Sequence, residues 1–227
     1  MKLRHTQKWA VAWVVIGSIS SAPLQSSSGE EPGGLHNSSQ APPSEIWPIL
    51  ERAESALGGG DLPAAITLYR EALELSPDHA PTLTNLGIAL FQSNEVEPAV
   101  ESLKAAVRAG FDDARAWISL GIVYFESQQW TAAHAALAQA VYLAPNDARA
   151  HHYLGLTFAA KGWSVAAEKC MVQAVTIDPQ YRVAHFNLAL AYLAREEPAL
   201  ELARRHYRRA LDLGAEPDEF VERALQE

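Results

Sequence analysis

Apolar residues along this chain recur with the spacing of an α-helix rather than that of a β-strand. In the segment WISLGIVYF, Trp117, Leu120, Gly121 and Tyr124 follow the spacing i, i+3, i+4, i+7, which places them on one face of a helix. The next apolar segment, TAAHAALAQAVYL at 131–143, carries alanines seven residues apart on one face. Small residues at that spacing allow a second helix to approach closely, so the pattern predicts a pair of packed helices.

The pattern of WISLGIVYF returns every 34 residues along the chain. Shifting by that distance aligns the segment with LTNLGIALF at 83–91 and HHYLGLTFA at 151–159, and a further shift gives HFNLALAYL at 185–193. Such self-similarity indicates a repeat protein, in which each unit stacks on its neighbours to bury its apolar face. The recurring positions are Leu86, Leu120, Leu154 and Leu188; Gly87, Gly121, Gly155 and Ala189; Ala65, Ala99, Ala133 and Ala167; and Ala72, Ala106, Ala140 and Ala174.

The residues between the helices keep the same period. Gly and Asn tolerate the left-handed backbone conformation that often ends a helix. After the second helix come SPD, FDD, APND and DPQ, where proline suits the stop or start of a helix. We therefore expect Asp78, Asp112 and Asn146 to cap the next helix. The predicted turn residues are Gly60, Asn94, Gln128 and Gly162.

These positions resemble the tetratricopeptide repeat family, a helix–turn–helix unit of 34 residues. The residues that carry the resemblance best are Trp117, Leu120, Gly121, Tyr124, Ala133, Leu137, Ala140 and Pro145. The resemblance implies an all-α fold, a right-handed α-solenoid of about five helix–turn–helix units with a short C-terminal capping helix. The predicted units are 46–79, 80–113, 114–147, 148–181 and 182–217, followed by a polar cap at 218–227.

Two units depart from the family pattern. The first has Arg52 and Ala53 in place of Leu-Gly. The last has Ala189 in place of glycine and is two residues longer, around 196–203.

A second stripe, one residue around the helix from the packing stripe, is predicted to bind a partner. The resemblance implies that this face of the first helices lines a concave groove, where peptides bind. Related domains that clamp a partner's C-terminal carboxylate use Lys, Arg and Asn there, and this sequence lacks that set. An apolar groove favours a peptide or helix bound through hydrophobic side chains. The alternative is that tight packing buries the stripe. The predicted groove residues are Thr84, Ile88, Phe91, Arg115, Ile118, Ile122, Phe125, Arg149, His152, Leu156, Phe186 and Leu190.

Arginines appear in two contexts. Arg115 and Arg149 flank the predicted groove at matching places and could hold an acidic group. In the segment ARRHYRR at 203–209, the i, i+4 spacing favours a solvated face with the ion pairs Glu201–Arg205 and Arg208–Asp212. The alternative for that segment is a small docking patch for an anionic partner.

Composition narrows the function classes. The formal net charge is −9, and because residues 1–22 contribute +3 through Lys2, Arg4 and Lys8, the remainder carries −12. An acidic body argues against nucleic acid or an anionic membrane as the main partner. The single cysteine, Cys170, cannot form a disulfide within one chain and is interpreted as a small packing residue. The histidines show no recognised metal spacing, so neither a metal nor a cofactor is predicted.

The N-terminus predicts export. Residues 1–22 combine a cationic start, a short apolar stretch and small residues, which is the order of a secretory signal peptide. The Ser-, Pro- and Gly-rich residues 23–45 predict a flexible linker. We therefore expect a periplasmic or secreted protein. The alternative is that the apolar segment is retained and anchors the chain in the inner membrane.

No motif predicts an active site. The sequence has no Gly-x-Ser-x-Gly elbow, and GGGD at 58–61 is a turn because no strand precedes it. We therefore predict a non-enzymatic scaffold that binds a peptide or helix of another protein in an apolar concave groove. The alternatives are an accessory substrate-recognition subunit of an enzyme complex and a membrane-anchored assembly factor. No nucleic-acid partner is expected, and a membrane only if the N-terminal segment is retained.

Overall fold

The computed structural model describes residues 42–226, and over that range the backbone forms eleven α-helices and no β-strand. The predicted all-α fold class of helix–turn–helix units with a short C-terminal helix is therefore confirmed. The predicted signal segment and the predicted linker up to residue 41 lie outside the described residues. The helices are α1 (Ile46–Gly58), α2 (Leu62–Leu75), α3 (Ala80–Gln92), α4 (Val96–Ala109), α5 (Ala114–Glu126), α6 (Trp130–Leu143), α7 (Ala148–Ala160), α8 (Ser164–Ile177), α9 (Arg182–Leu193), α10 (Leu200–Asp212) and α11 (Glu219–Ala224).

The described chain divides into two compact units, one ending at Leu143 and the other beginning at Ala144. In the first unit, each helix from α1 to α6 packs against the next, and α3 also packs against α5. In the second unit, α7 packs against α8, α8 against α9 and α9 against α10. Two helices thus fall within each predicted repeat, and α11 falls within the predicted cap. Among the described residues, no helix has the length and apolarity needed to cross a bilayer.

The core of the first unit consists of apolar side chains from successive helices. One cluster joins α1, α2 and α3 around the fully buried Ile46 and Tyr69. Another joins α3 to α6 around Leu103, Leu120 and Val123. Burying an aliphatic or aromatic side chain of this size stabilises a fold by about 1.5–3 kcal/mol, so these clusters contribute much of the stability of the unit.

The recurring glycines lie where two helices approach most closely. A Cβ atom added at Gly121 would lie 2.5 Å from Cγ of Leu137, and one at Gly87 would lie 2.5 Å from Cγ of Leu103. Both distances are far below van der Waals contact, so only glycine fits there without moving the facing helix. A Cβ atom at Gly155 would lie 3.0 Å from Cγ of Met171, so the close helix approach expected at Gly121 and Gly155 is present at both positions.

The turn between the two helices of each of the first four repeats contains the predicted turn residue, which has a left-handed backbone conformation. The backbone φ is 79° at Gly60, 64° at Asn94, 60° at Gln128 and 77° at Gly162. Asn94 and Gln128 both have a Cβ atom, which disfavours this conformation, and of the two only asparagine commonly adopts it. The turn at 194–199 is longer, and α10 begins 18 positions after α9 begins, against 16 for α8 after α7.

The helix caps lie one residue later than predicted. The caps expected from the sequence were Asp78, Asp112 and Asn146. Instead, Asp113 caps α5 by accepting from the amide of Arg115 at 2.8 Å. Asp147 caps α7 and accepts from two amides, at 2.8 and 3.0 Å. His79 precedes α3 without a side-chain cap. The N-cap must have extended backbone geometry just before the first turn, and Asp113 and Asp147 have it.

The terminal helix α11 is fixed to α10 by polar contacts. The hydroxyl of Tyr207 accepts a hydrogen bond at 2.7 Å from the amide of Asp218, which in turn caps α11. Arg204 donates to the carbonyl of Leu225 at 2.8 Å, and Val221 is fully buried. These contacts anchor α11 at the end of the second unit.

Candidate partner-binding surfaces

The predicted groove residues of the first unit are mostly buried. These residues lie one position along the helix from the packing stripe, about 100° around the axis. The groove stripe of α3 and α5 therefore lies close to the buried face and is buried with it. Phe125 also lies against Trp130, with ring centroids 5.4 Å apart. Phe91 and Arg115 are half-buried. The buried residues, with their exposed fractions, are Thr84 (0%), Ile88 (7%), Ile118 (2%), Ile122 (3%) and Phe125 (2%).

The predicted groove residues of the second unit are likewise buried, apart from Arg149, which is half-buried. Phe186 packs near Tyr207, with ring centroids 6.1 Å apart. The sequence left two interpretations of this stripe open, and the burial in both units favours packing for its apolar members. The groove itself stays a prediction. The buried members are His152, Leu156, Phe186 and Leu190.

The two flanking arginines differ in their surroundings. A guanidinium N–H of Arg115 donates to the side-chain oxygen of Asn85, which is neutral. Arg149 instead lies 3.6 Å from the carboxylate of Asp147, which offsets its charge. Among residues 42–226, Arg115 forms no ion pair, so of the two it is the better placed to receive an acidic group.

A buried tyrosine lies beside the Arg115 contact. Tyr69 is fully buried, and its hydroxyl lies near the side chain of Asn85 without a hydrogen bond of full geometry among the described residues. Burial, together with the negative charge of Glu54, raises the pKa of Tyr69 to about 12, while the positive charge of Arg115 acts in the opposite direction. The first unit therefore has a polar group, formed by Tyr69, Asn85 and Arg115, where three largely apolar helices meet. The sequence did not reveal this group, because its members come from α2, α3 and α5.

His152 belongs to a buried hydrogen-bond network. The side-chain amide nitrogen of Asn187 lies 2.8 Å from Nε2 of His152, and the hydroxyl of Tyr181 lies 3.1 Å from Nδ1. Because an amide N–H donates, Nε2 accepts and the ring proton lies on Nδ1, facing the tyrosine oxygen. Burial lowers the pKa of His152 to about 3, so the ring is neutral at pH 7. It acts as a packing and hydrogen-bonding residue.

A second pair of imidazoles joins α9 to α10. Nδ1 of His185 lies 2.9 Å from Nδ1 of His206, and Nε2 of His185 lies 3.2 Å from the carbonyl of Pro179. A carbonyl only accepts, so Nε2 of His185 carries a proton. In the neutral pair, Nδ1 of His185 then accepts from Nδ1–H of His206, which leaves Nε2 of His206 with a lone pair. Tyr192 stacks on His206, with ring centroids 5.8 Å apart.

Burial disfavours protonation of this pair. It lowers the pKa of His206 to about 4, with the nearby His185 and the charge of Arg205 acting in the same direction. The pKa of His185 is also lowered, chiefly by burial. Among the described residues, no group of three metal-ligating side chains is present.

The basic face of α10 does not form the predicted ion pairs. Glu201 accepts from Arg204 rather than from Arg205, because the i, i+3 geometry brings that guanidinium closer. Arg209 donates to the carbonyl of Pro179 rather than to a carboxylate. Arg205 and Arg208 have neither a hydrogen bond nor an ion pair among the described residues. The predicted pairs Glu201–Arg205 and Arg208–Asp212 are therefore wrong.

The single cysteine does not stand out as a reactive group. Cys170 is half-buried on α8, and burial raises the pKa of its thiol to about 11. A nucleophilic cysteine requires a lowered thiol pKa. The structure thus agrees with a packing role.

Comparison with protein-family models places tetratricopeptide repeats at residues 56–120 and 118–182. The two matches together cover more than half of the chain. The chain therefore belongs to the tetratricopeptide repeat proteins, whose stacked units serve as scaffolds for protein interaction. No curated protein matches it by sequence.

Solved structures share the fold. MamA from Desulfovibrio magneticus RS-1 is 22% identical with a TM-score of 0.67, over 76% of this chain and 97% of its own. Pseudomonas aeruginosa PilF is 21% identical with a TM-score of 0.69, over 76% of this chain and 78% of its own. YrrB, a tetratricopeptide repeat protein described as having an unusual peptide-binding site, is 25% identical. Its TM-score is 0.62, over 80% of this chain and 90% of its own.

Proposed function

We propose that this chain is a non-enzymatic scaffold that binds a peptide or helical segment of another protein on the predicted groove face. The repeats supply the scaffold. The observation that carries the proposal is Arg115, a half-buried cation on that face whose hydrogen bond goes to the neutral Asn85. A half-buried guanidinium without a carboxylate retains its capacity for charge-assisted hydrogen bonds. The described peptide-binding site of YrrB gives further support.

Burial of the apolar stripe supports one particular mode of binding within this proposal. Because the apolar stripe is largely buried, a partner would contact its half-buried edge at Phe91 and place an acidic group on Arg115. The apolar contact would then bury surface of the peptide, and the ion pair with Arg115 would fix the orientation of the peptide on the surface. A bidentate carboxylate on arginine is strong enough to fix the register of a bound peptide.

A site-specific photo-crosslinker tests this proposal. Benzoylphenylalanine at Phe91 is expected to capture a defined partner in the native cell extract, and Arg115→Gln is expected to reduce that capture severalfold. Benzoylphenylalanine at Tyr142, which is 80% exposed on α6, is the position control. Arg70→Gln removes an exposed cation and is the charge control. Equal capture from both positions, or equal loss with both substitutions, would contradict a specific site at Arg115.

We also propose that the chain is exported, with residues 1–22 as a signal peptide. The supporting observation is the order of cationic, apolar and small residues at the N-terminus. The mass of the mature N-terminus tests it, since cleavage near residue 22 removes the segment. An intact N-terminus in the membrane fraction would favour the anchored alternative instead.

A further inference from the structure

The second unit contains a cleft that the predicted groove does not include. It lies between α8, α9 and α10 and has a volume of about 630 Å³. Its apolar floor comes from Val172 and Val175 of α8, Leu188 of α9 and Leu202 of α10, of which Leu202 is 39% exposed. None of the twelve predicted groove residues lines it. The cleft is therefore a separate surface, built mainly from second helices of the pairs.

The rim of the cleft is strongly basic. Arg205, Arg208 and Arg209 line it, and Asp212 is the one acidic lining residue among those described. Arg209 is engaged with the carbonyl of Pro179, whereas the guanidinium groups of Arg205 and Arg208 have no partner among residues 42–226. Positions three apart lie on one face of a helix, so these two cations are adjacent and repel each other.

The basic rim of the cleft contrasts with the acidic composition of the chain as a whole. The chain has a formal net charge of −9, yet three arginines surround one cleft. Nearby acids are available, but Glu201 is bound to Arg204 and Asp212 forms no ion pair with Arg208. A cationic rim over an apolar floor complements a ligand that carries both carboxylates and an apolar side chain.

The imidazole pair lies in the same cleft. His185 and His206 both line it, and in the neutral pair Nε2 of His206 carries a lone pair. An anion beside Arg205 would favour protonation of this nitrogen, because a negative charge stabilises the imidazolium form. The two imidazoles thus provide a local reporter for anything that enters the cleft.

We propose that this cleft is a second binding site, which takes an acidic peptide segment of a partner protein. An apolar side chain of the segment would lie on the floor formed by Val175 and Leu188. Carboxylates flanking that side chain would accept from Arg205 and Arg208. An anionic membrane is the competing occupant, but the net negative charge of the chain opposes its approach to such a surface.

Titration of the full chain with two synthetic hexapeptides tests the proposal. The acidic peptide is acetyl-Asp-Glu-Leu-Phe-Glu-Asp-amide, and its neutral analogue replaces each acid by the corresponding amide. Histidines labelled with 13C at Cε1 report binding, and the signals of His185 and His206 are assigned with His185→Gln and His206→Gln. We expect saturable shifts of both signals with the acidic peptide, and about tenfold weaker binding of the neutral analogue.

Matched variants separate the site from general charge attraction. Arg205→Gln/Arg208→Gln is expected to weaken binding of the acidic peptide about tenfold. Arg70→Gln/Arg223→Gln removes the same charge from exposed positions outside the cleft and should leave the affinity within about twofold. Far-UV circular dichroism verifies that both variants are folded.

Four outcomes would overturn the proposal. The first is equal binding of the neutral analogue, which would mean an apolar cleft without anion recognition. The second is equal weakening by the two double variants, which would mean non-specific attraction. The third is the absence of histidine shifts with millimolar acidic peptide. The fourth is a shift of His206 with vesicles of phosphatidylglycerol but with neither peptide, which would identify a membrane surface. None of these outcomes depends on Arg115, so failure here is distinguishable from failure of the proposed groove.

Discussion

The apolar stripe of α5 and the basic face of α10 were both candidate partner surfaces on the basis of sequence, but they differ in solvent exposure. Ile122 and Phe125 are only 3% and 2% exposed, whereas Arg205 and Arg208 are exposed and have no partner among the described residues. Substitutions in the stripe should therefore change folding stability, and those on the α10 face should change binding.

The largest effect is expected from Ile122→Asp/Phe125→Asp. Each substitution removes a buried apolar side chain and places a carboxylate in its position, which costs more than about 4 kcal/mol in total. Urea unfolding measures the loss, and the double variant may be compared with Thr131→Asp/Ala138→Asp at exposed positions of α6. Unchanged stability together with lost partner capture would restore the stripe as an open groove.

A smaller loss is expected from Gly121→Leu. The added side chain must enter the space occupied by Leu137, whose Cγ lies 2.5 Å from the added Cβ. Overpacking of this kind costs about 1–3 kcal/mol. Gly58→Leu is a control of the same chemistry, because a Cβ there meets no atom within 4 Å. Equal loss of stability in the two variants, measured by urea unfolding, would contradict the close helix contact.

The pH dependence of stability tests the buried network of His152. Its pKa falls from 6.5 in the unfolded chain to about 3 in the folded chain, so the folded state binds the proton less readily. The stability contributed by the neutral ring is complete above pH 6.5 and is lost as the pH falls towards 3. We expect a loss of about 2 kcal/mol between pH 7 and 5. Urea unfolding at both values should show this loss to be smaller in His152→Gln, and an identical loss would contradict it.

The smallest effect on stability is expected on α10. Arg205→Gln/Arg208→Gln removes two exposed like charges on one face and should change the free energy of unfolding by less than about 0.5 kcal/mol. Urea unfolding at low salt is the measurement. A loss comparable to that of Gly121→Leu would mean that these arginines are structural, and the contrast between the two surfaces would disappear.

The sequence predicts the fold because repetition multiplies a weak signal. A single apolar stripe is ambiguous, but leucine, glycine and alanine at a period of 34 residues specify helix pairs and the close approach at Gly121. The site is less predictable because it depends on contacts between separate elements. Hydrogen bonding of Arg115 to Asn85 joins residues 30 positions apart, and no periodicity reports it.

Predictions from sequence spacing were wrong where two neighbouring side chains could make the same hydrogen bond or ion pair. Two capping residues precede α5 (Asp112 and Asp113) and two precede α7 (Asn146 and Asp147), and either member of each pair could cap. Backbone geometry selects the second, Asp113 and Asp147. On α10, Glu201 could pair with Arg204 or Arg205, and Arg204 also reaches the carbonyl of Leu225. That additional bond depends on α11, so the sequence of α10 alone does not determine the ion pair.

The half-buried thiol of Cys170 has a consequence for redox chemistry. With a pKa of about 11, only about one thiol in ten thousand is ionised at pH 7. Disulfide exchange requires the thiolate, so this cysteine should react slowly with oxidised glutathione and rarely link two copies of the chain. A protein with this cysteine can therefore meet oxidising surroundings with its thiol slow to form a disulfide.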